Sequence, residues 1–161
     1  MVDASPYIFR AHFSLPSSIK TPDGSPAAAS YGFTSFLLKL IADEKPTHLA
    51  VAFDRSLNSS FRNEIYPDYK QQRVLPPPEL EAQLDACEQI AAALGAATFI
   101  DDRYEADDLI GALCAGLAPK GHGAVIVTSD KDLAQLVSER ITLLDFSKGL
   151  RLDAAAVFEK F

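Results

Sequence analysis

ATFIDDRYEADDLIGALCAGLAPKGHGAVIVTSDKD, residues 97–132, holds a strand, a helix and a second strand in immediate succession. ATFI at 97–100 is short and apolar. YEADDLIGALCAGL carries apolar residues at helical spacing from about 105 to 117, and AVIVT at 124–128 is the clearest strand of the chain. Two strands joined by a helix over so short a stretch imply a βαβ unit, a right-handed crossover and a mostly parallel sheet. Parallel strands end at one edge of their sheet, and the acids of EADD and SDKD lie just beyond these two strands.

Working outward, the same alternation recurs. THLAVAF at 47–53 is a buried strand that ends in Asp54, and Val2 begins a very short apolar opening before Asp3. Residues 26–44 place Phe33, Phe36, Leu37, Leu40 and Ile41 on one helical stripe. Residues 79–94 form an amphipathic helix, preceded by the prolines at 76–78 and stopped by Gly95. LAQLV at 133–137 suggests a short helix and ITLLDF at 141–146 a last strand; residues 15–26 are expected to form a flexible loop. The fold class expected is α/β, a mostly parallel central sheet flanked by helices, with ligands at the carboxyl ends of the strands. Residues 55–78 stand apart: polar, rich in Arg, Lys, Tyr and Pro, with no clear core face. A connection that long inside a compact domain is usually functional.

The 161 residues suffice for one domain, and 48% hydrophobic with 23% charged residues is ordinary for a globular chain. No apolar run approaches the 18 or so residues of a membrane span, and the opening lacks the pattern of a secretory leader. Cys87 and Cys114 show no metal or redox spacing, so buried free thiols in a reducing cytoplasm are expected. The net charge of −7 argues at first against a nucleic-acid partner. Yet setting aside seven acids, Asp3, Asp54, Glu105, Asp107, Asp108, Asp130 and Asp132, leaves 15 acids against 15 bases.

Those seven occupy four places in the chain, each at or just beyond the end of an expected strand. At about 6 Å and an effective dielectric near 20, each pair of them would cost roughly 3 kcal/mol. The usual remedy is a hard divalent cation bound through oxygen. Capping offers a plainer explanation for some of them. An acid at the start of the helix near 105 complements its dipole, and Ser129 or Asp130 can cap the short helix that follows. Capping needs one acid at each place, however, and YEADD holds three within four residues. FRNEIYPDYKQQR at 61–73 supplies the opposite charge: Arg62, Lys70 and Arg73 suit phosphate contacts, while Phe61, Tyr66 and Tyr69 suit stacking on single-stranded bases. The plain alternative there is a solvated surface loop. His12, His48 and His122 are isolated, and no phosphate-binding glycine loop or serine elbow is present.

VDASPYIFRA (2–11), PTHLAVAFD (46–54), FRNEIYPDYKQQR (61–73), YEADDLIGAL (104–113) and TSDKDLAQLV (128–137) together resemble the 5′-nuclease family. That family includes the 5′→3′ exonuclease domain of bacterial DNA polymerase I and stand-alone exonucleases and flap endonucleases. The resemblance covers nearly the whole chain and implies a PIN-like fold over residues 1–161, with a basic arch-like insertion around 55–78. It puts all seven acids on the family's metal-site positions and Lys70 and Arg73 at the base of an arch that threads or clamps a 5′ strand. Arg62 falls in the same motif, and Phe9 on an aromatic position that stacks on a base.

Two departures accompany it. Only Met1 and Val2 precede Asp3, which predicts a stunted first strand holding that acid loosely. The chain also stops before the helix–three-turn–helix segment and the further aspartates of longer relatives, which predicts an incomplete second metal site and reduced activity. The resemblance implies a Mg²⁺- or Mn²⁺-dependent 5′→3′ exonuclease or flap endonuclease. It would act on DNA with a 5′ single-stranded end or flap and leave 5′-phosphate and 3′-hydroxyl products. No membrane partner or organic cofactor is expected. Two alternatives remain: a catalytically silent nucleic-acid-binding module, and a PIN-type ribonuclease.

Overall fold

The computed structural model describes residues 1–54, 60–72 and 76–160. Six strands form one sheet: β1 Val2–Asp3, β2 Ala50–Asp54, β3 Ala97–Asp101, β4 Ala124–Val127, β5 Ile141–Asp145 and β6 Leu150–Leu152. Their order across the sheet is β3-β2-β1-β4-β5-β6, and every neighbouring pair is parallel except β5 and β6. Successive strands step one way from β1 to β3 and the other way from β4 to β6. The direction of winding therefore reverses between β1 and β4, where open α/β sheets leave a crevice at their carboxyl ends.

Side chains alternate across this sheet and feed two cores. Val2, Val51, Phe53, Val127 and Leu144 face one layer, made by α1 Ser5–Ser14, α2 Ala28–Glu44 and α4 Pro78–Ala93. Ala52, Ile126, Ile141, Leu143 and Leu152 face the other, made by α5 Ala106–Leu117, the 3₁₀ turn Lys131–Leu136 and α6 Ala154–Lys160. Covered on both faces, the central strands β2 and β4 are apolar up to their carboxyl ends, as a parallel sheet requires. The short helix α3, Phe61–Ile65, lies outside both cores.

β1 corrects the sequence expectation. It has only two residues, yet Val2 pairs in register with both Val51 and Val127 and is wholly buried. Ala4 extends the ladder, its amide donating to the Ala52 carbonyl at 3.0 Å. Asp3 is therefore firmly placed, since tertiary contacts on both sides replace strand length. The α1 helix follows directly, with Pro6 in its first turn, where a missing amide costs nothing. The strand expected at 141–146 is present as β5, but it is not the last element: it folds with β6 into a hairpin around Gly149 (φ 62°), and α6 follows.

Two contacts fix the layer of α1, α2 and α4. The α2 helix lacks a cap of its own, and Gln83 of α4 supplies one: its Oε1 accepts from the amides of Ala29 at 2.9 Å and Ser30 at 3.3 Å. Gly32 lets α2 approach α1 closely; a Cβ there would lie 2.5 Å from Ala11 Cβ and 2.8 Å from Leu15 Cδ1. Leu15 can swing aside, but Ala11 cannot. Gly32→Ala gains about 1 kcal/mol of helix propensity and loses roughly 1–3 kcal/mol to overpacking. A net loss of up to about 2 kcal/mol is expected in urea titration, and a raised midpoint would show that the two helices part freely.

Candidate metal and phosphate site

Asp3 ends β1 at the reversal point, and its side chain is held across to the next strand. Thr128, fully buried just after β4, donates its hydroxyl to Asp3 Oδ2 at 2.7 Å and accepts from the Asp130 amide at 3.0 Å. Asp54 ends β2 and ties together two helix starts. Its Oδ2 accepts from the Ser5 hydroxyl at 2.6 Å and its Oδ1 from the Ala106 amide at 2.8 Å. The second bond satisfies one of the orphan donors at the start of α5. These acids are thus positioned by strand ends and helix starts and cannot simply turn away from one another.

The carboxyl ends of the strands open into a cleft of about 370 Å³. Asp3, Asp54, Glu105, Asp107 and Asp130 line it together with Lys70, and Ser5, Pro6 and Phe9 form its α1 side. Five of the seven acids named from the sequence therefore share one cavity. Asp108 and Asp132 are not among the residues lining it. Asp108 turns to Arg62, whose guanidinium donates Nη1–H and Nη2–H to its two oxygens at 2.6 and 2.7 Å. Asp132 is exposed, and its amide donates to Asp130 Oδ1 at 2.9 Å, so Asp130 caps the 3₁₀ turn as the plainer reading foresaw.

The basic segment is also placed differently from the expectation of free phosphate contacts. Lys70 Nζ reaches Glu105 Oε2 at 2.7 Å, and the Tyr69 hydroxyl donates to the same oxygen at 3.3 Å. Arg62 Nη1 lies 3.6 Å from it. Phe61 donates its amide to the Arg103 carbonyl and packs its ring on Tyr104, while Arg103 pairs with Glu64. Tyr66 is exposed at the end of α3 and is not among the residues lining the cleft. Arg73 lies outside the described residues.

Burial and like charge set the electrostatics. Burial pushes the Asp3 carboxyl up to about 7 against the donation from Thr128, with Asp54, Asp130 and Asp107 adding to the rise. Asp107 is raised by burial and then by Asp108 and Glu105. Asp108 is lowered, first by its hydrogen bond from Arg62. Among the described residues no group of three acid, histidine or cysteine side chains stands ready to hold a metal ion. The donors share a cavity, and like charge opposes their closer approach. Ser5, Thr128, Tyr104 and the Arg103–Glu64 pair were not singled out from the sequence. Thr128 becomes meaningful only once β1 and β4 are known to be neighbours.

Carboxylates gathered at the carboxyl edge of an open α/β sheet place hard oxygen donors where such sheets bind their ligands. The family model described as 5′-3′ exonuclease, N-terminal resolvase-like domain, matches residues 1–161, and the chain belongs to that family. DNA polymerase I of Mycobacterium tuberculosis is 39% identical over 166 residues, covering 100% of this chain and 18% of the polymerase. DNA polymerase I of Geobacillus stearothermophilus is 37% identical over 150 residues, covering 93% of the chain and 17% of the polymerase. The chain thus spans under a fifth of the length of these relatives. Among solved structures, T5 5′-exonuclease with bound zinc ions superposes with a TM-score of 0.73 at 17% identity, over 98% of this chain and 58% of that one. T5 flap endonuclease in a complex with DNA and metal ions gives 0.69 at 20% identity, over 99% and 58%. The fold is PIN-like, as the sequence resemblance implied. No helix among the described residues is long and apolar enough to cross a membrane.

The raised Asp3 carboxyl has a consequence for stability without added metal. Its ordinary value is 3.8, and in the folded protein it lies near 7. Folding therefore takes up a proton between those limits, and this acid's contribution falls as pH rises from about 4 to about 7. A shift of this size is worth at most roughly 4 kcal/mol. Asp3→Asn keeps an acceptor for Thr128 and removes the charge. In chelator-treated protein it should raise the melting temperature by several degrees at pH 8 and by clearly less at pH 5. Equal shifts at both values would mean that Asp3 is not held near neutrality.

Proposed function

We propose that the cleft is the catalytic centre of a divalent-metal-dependent 5′→3′ exonuclease or flap endonuclease, which hydrolyses DNA to 5′-phosphate and 3′-hydroxyl ends. One observation carries this reading: acids from the ends of β1, β2 and β4 and from the start of α5 line one cavity that also admits Lys70. The family supports it, as do the T5 structures of like fold, which hold metal ions and, in one case, DNA.

The donors suit a hard cation. They are all carboxylate oxygens, and a buried acid raised to about 7 has an electrostatic need for positive charge. Asp3, Asp54, Glu105, Asp107 and Asp130 would hold Mg²⁺ or Mn²⁺, with Asp108 and Asp132 drawn in from the rim. Two such ions are expected, the second held incompletely by these residues alone. When bound, divalent cations make water a better nucleophile at neutral pH and stabilise charge on the departing 3′-oxygen.

The remaining tasks fall to the chain itself. Lys70 sits at the cleft wall and, with Arg73, would neutralise charge that develops on the phosphoryl oxygens. Phe9 offers a ring at the α1 side of the cleft for the base next to the cut, and Tyr66 and Tyr69 offer stacking surfaces along the strand's path. Thr128 and Ser5 keep Asp3 and Asp54 oriented. The basic stretch around 55–78 would serve as the arch that threads or clamps a 5′ single strand. A cytoplasmic setting fits two buried free thiols.

A 5′-flap DNA labelled at its 5′ end, incubated with the chain and Mn²⁺, should release short labelled products, and chelator should stop the release. Asp54→Asn and Asp107→Asn should each abolish most of the cutting. Lys70→Met should slow it by roughly 10²–10³-fold, the usual loss of one oriented group that stabilises transition-state charge. Silence of the unmodified chain with Mn²⁺ bound would favour the binding module, and preference for single-stranded RNA the ribonuclease.

A further inference from the structure

The stretch Ser60–Gln72 is folded down onto the start of α5, and its cations are committed to that element's acids. Arg62 grips Asp108 with both arms at 2.6 and 2.7 Å and lies 3.6 Å from Glu105. Lys70 holds Glu105 at 2.7 Å. The pairs are partly shielded, with side-chain exposures of 28% and 22% for Arg62 and Asp108, and 22% and 10% for Lys70 and Glu105. Aromatic faces back them, the Arg62 guanidinium lying 4.8 Å from the Phe61 ring centre and Lys70 Nζ 5.1 Å from that of Tyr69. Lys70 also adopts a left-handed backbone (φ 56°), which lysine rarely accepts. Asn63 holds that turn by donating to the Tyr69 carbonyl at 2.9 Å.

We propose that this segment is a built-in counterion. Arg62 and Lys70 occupy Asp108 and Glu105 while the cleft is free of cations, and a divalent ion displaces them, releasing both side chains for a phosphodiester. The inference rests on the metal-dependent reading of the cleft. It makes Arg62 a positioning residue for the α5 acids rather than a standing phosphate contact. It also couples the two ligands: each cation that takes a carboxylate frees a base, and each phosphate that takes a base frees a carboxylate. Linkage makes the coupling reciprocal.

The coupling is tested by calorimetric titration of the DNA-free chain with Mn²⁺. Arg62→Gln and Lys70→Met remove a competitor and should bind Mn²⁺ at least about fivefold more tightly than the unmodified chain. Arg62→Lys, which keeps the charge but loses the two-armed grip, should fall between. Arg103→Gln removes the same charge from the exposed pair with Glu64, which does not touch the cleft acids, and should change affinity less than twofold. Thermal melting checks that each variant folds, and Lys70→Met carries the test if Arg62→Gln does not. In a second arm, amide exchange of residues 61–72 should quicken when Mn²⁺ is added to the unmodified chain. Unchanged or weaker Mn²⁺ binding in Arg62→Gln and Lys70→Met overturns the proposal, as does an equal gain in Arg103→Gln or slower exchange with Mn²⁺. Failure of every form, unmodified included, to take up Mn²⁺ would overturn the metal-dependent reading as well.

Discussion

Placing Asp3 at the end of a buried two-residue strand, within the field of Asp54, Asp107 and Asp130, sets an electrostatic cost that the neighbouring structure must answer. Asp3 cannot move without tearing β1 from β2 and β4, because Val2 pairs on both sides. The surroundings respond in three ways. Thr128 donates a hydrogen bond, the carboxyl rises toward neutrality, and the outer acids find cations in Lys70 and Arg62. The cleft is a strained arrangement maintained by a sheet whose own stability comes from two apolar layers.

That division of labour explains what could be read in advance. β2 and β4 are continuous apolar runs, and β5 nearly so, because both faces of the sheet are covered, and such runs are visible in one dimension. The strand-end rule then located Asp54 and Asp130 without any coordinates. β1 escaped a firm assignment because two residues have no periodicity. Its position depends on Val51 and Val127, which lie far along the chain. The α1 helix was hidden for a related reason: it starts two residues after Asp3, and its buried residues Tyr7, Ile8 and Ala11 matter only once α2 lies across them. β6 offers just Leu150 and Leu152 with Arg151 between them, too little to distinguish a strand from a turn.

The site was legible to the same depth. Which acids gather follows from strand order and was largely foreseeable. Which acids are free does not follow, because it depends on how residues 60–72 lie against α5. Arg62 and Asp108 are 46 positions apart, and nothing local to FRNEI or EADD announces that they meet. The expectation of Arg62 as an open phosphate contact was therefore reasonable in chemistry and incomplete in geometry. Asp130 shows the opposite case, where capping and cleft lining turned out to be compatible, since its Oδ1 takes the Asp132 amide while the residue still borders the cavity.

The charge balance then takes on a different meaning. A chain with net charge −7 would repel a polyanion if its acids were spread evenly. Here much of the excess lines one cleft; Lys70 stands at its wall paired with Glu105, and Arg62 pairs with Asp108 beside it. Were the acids there left without cations, these bases would already be neutralised and a phosphodiester would gain little by entering. On the proposed reading, divalent ions reverse this: they cancel the acids and return the bases to positive charge. Metal would then serve recognition as well as hydrolysis, and grip on a strand would depend on cation concentration even where no bond is broken.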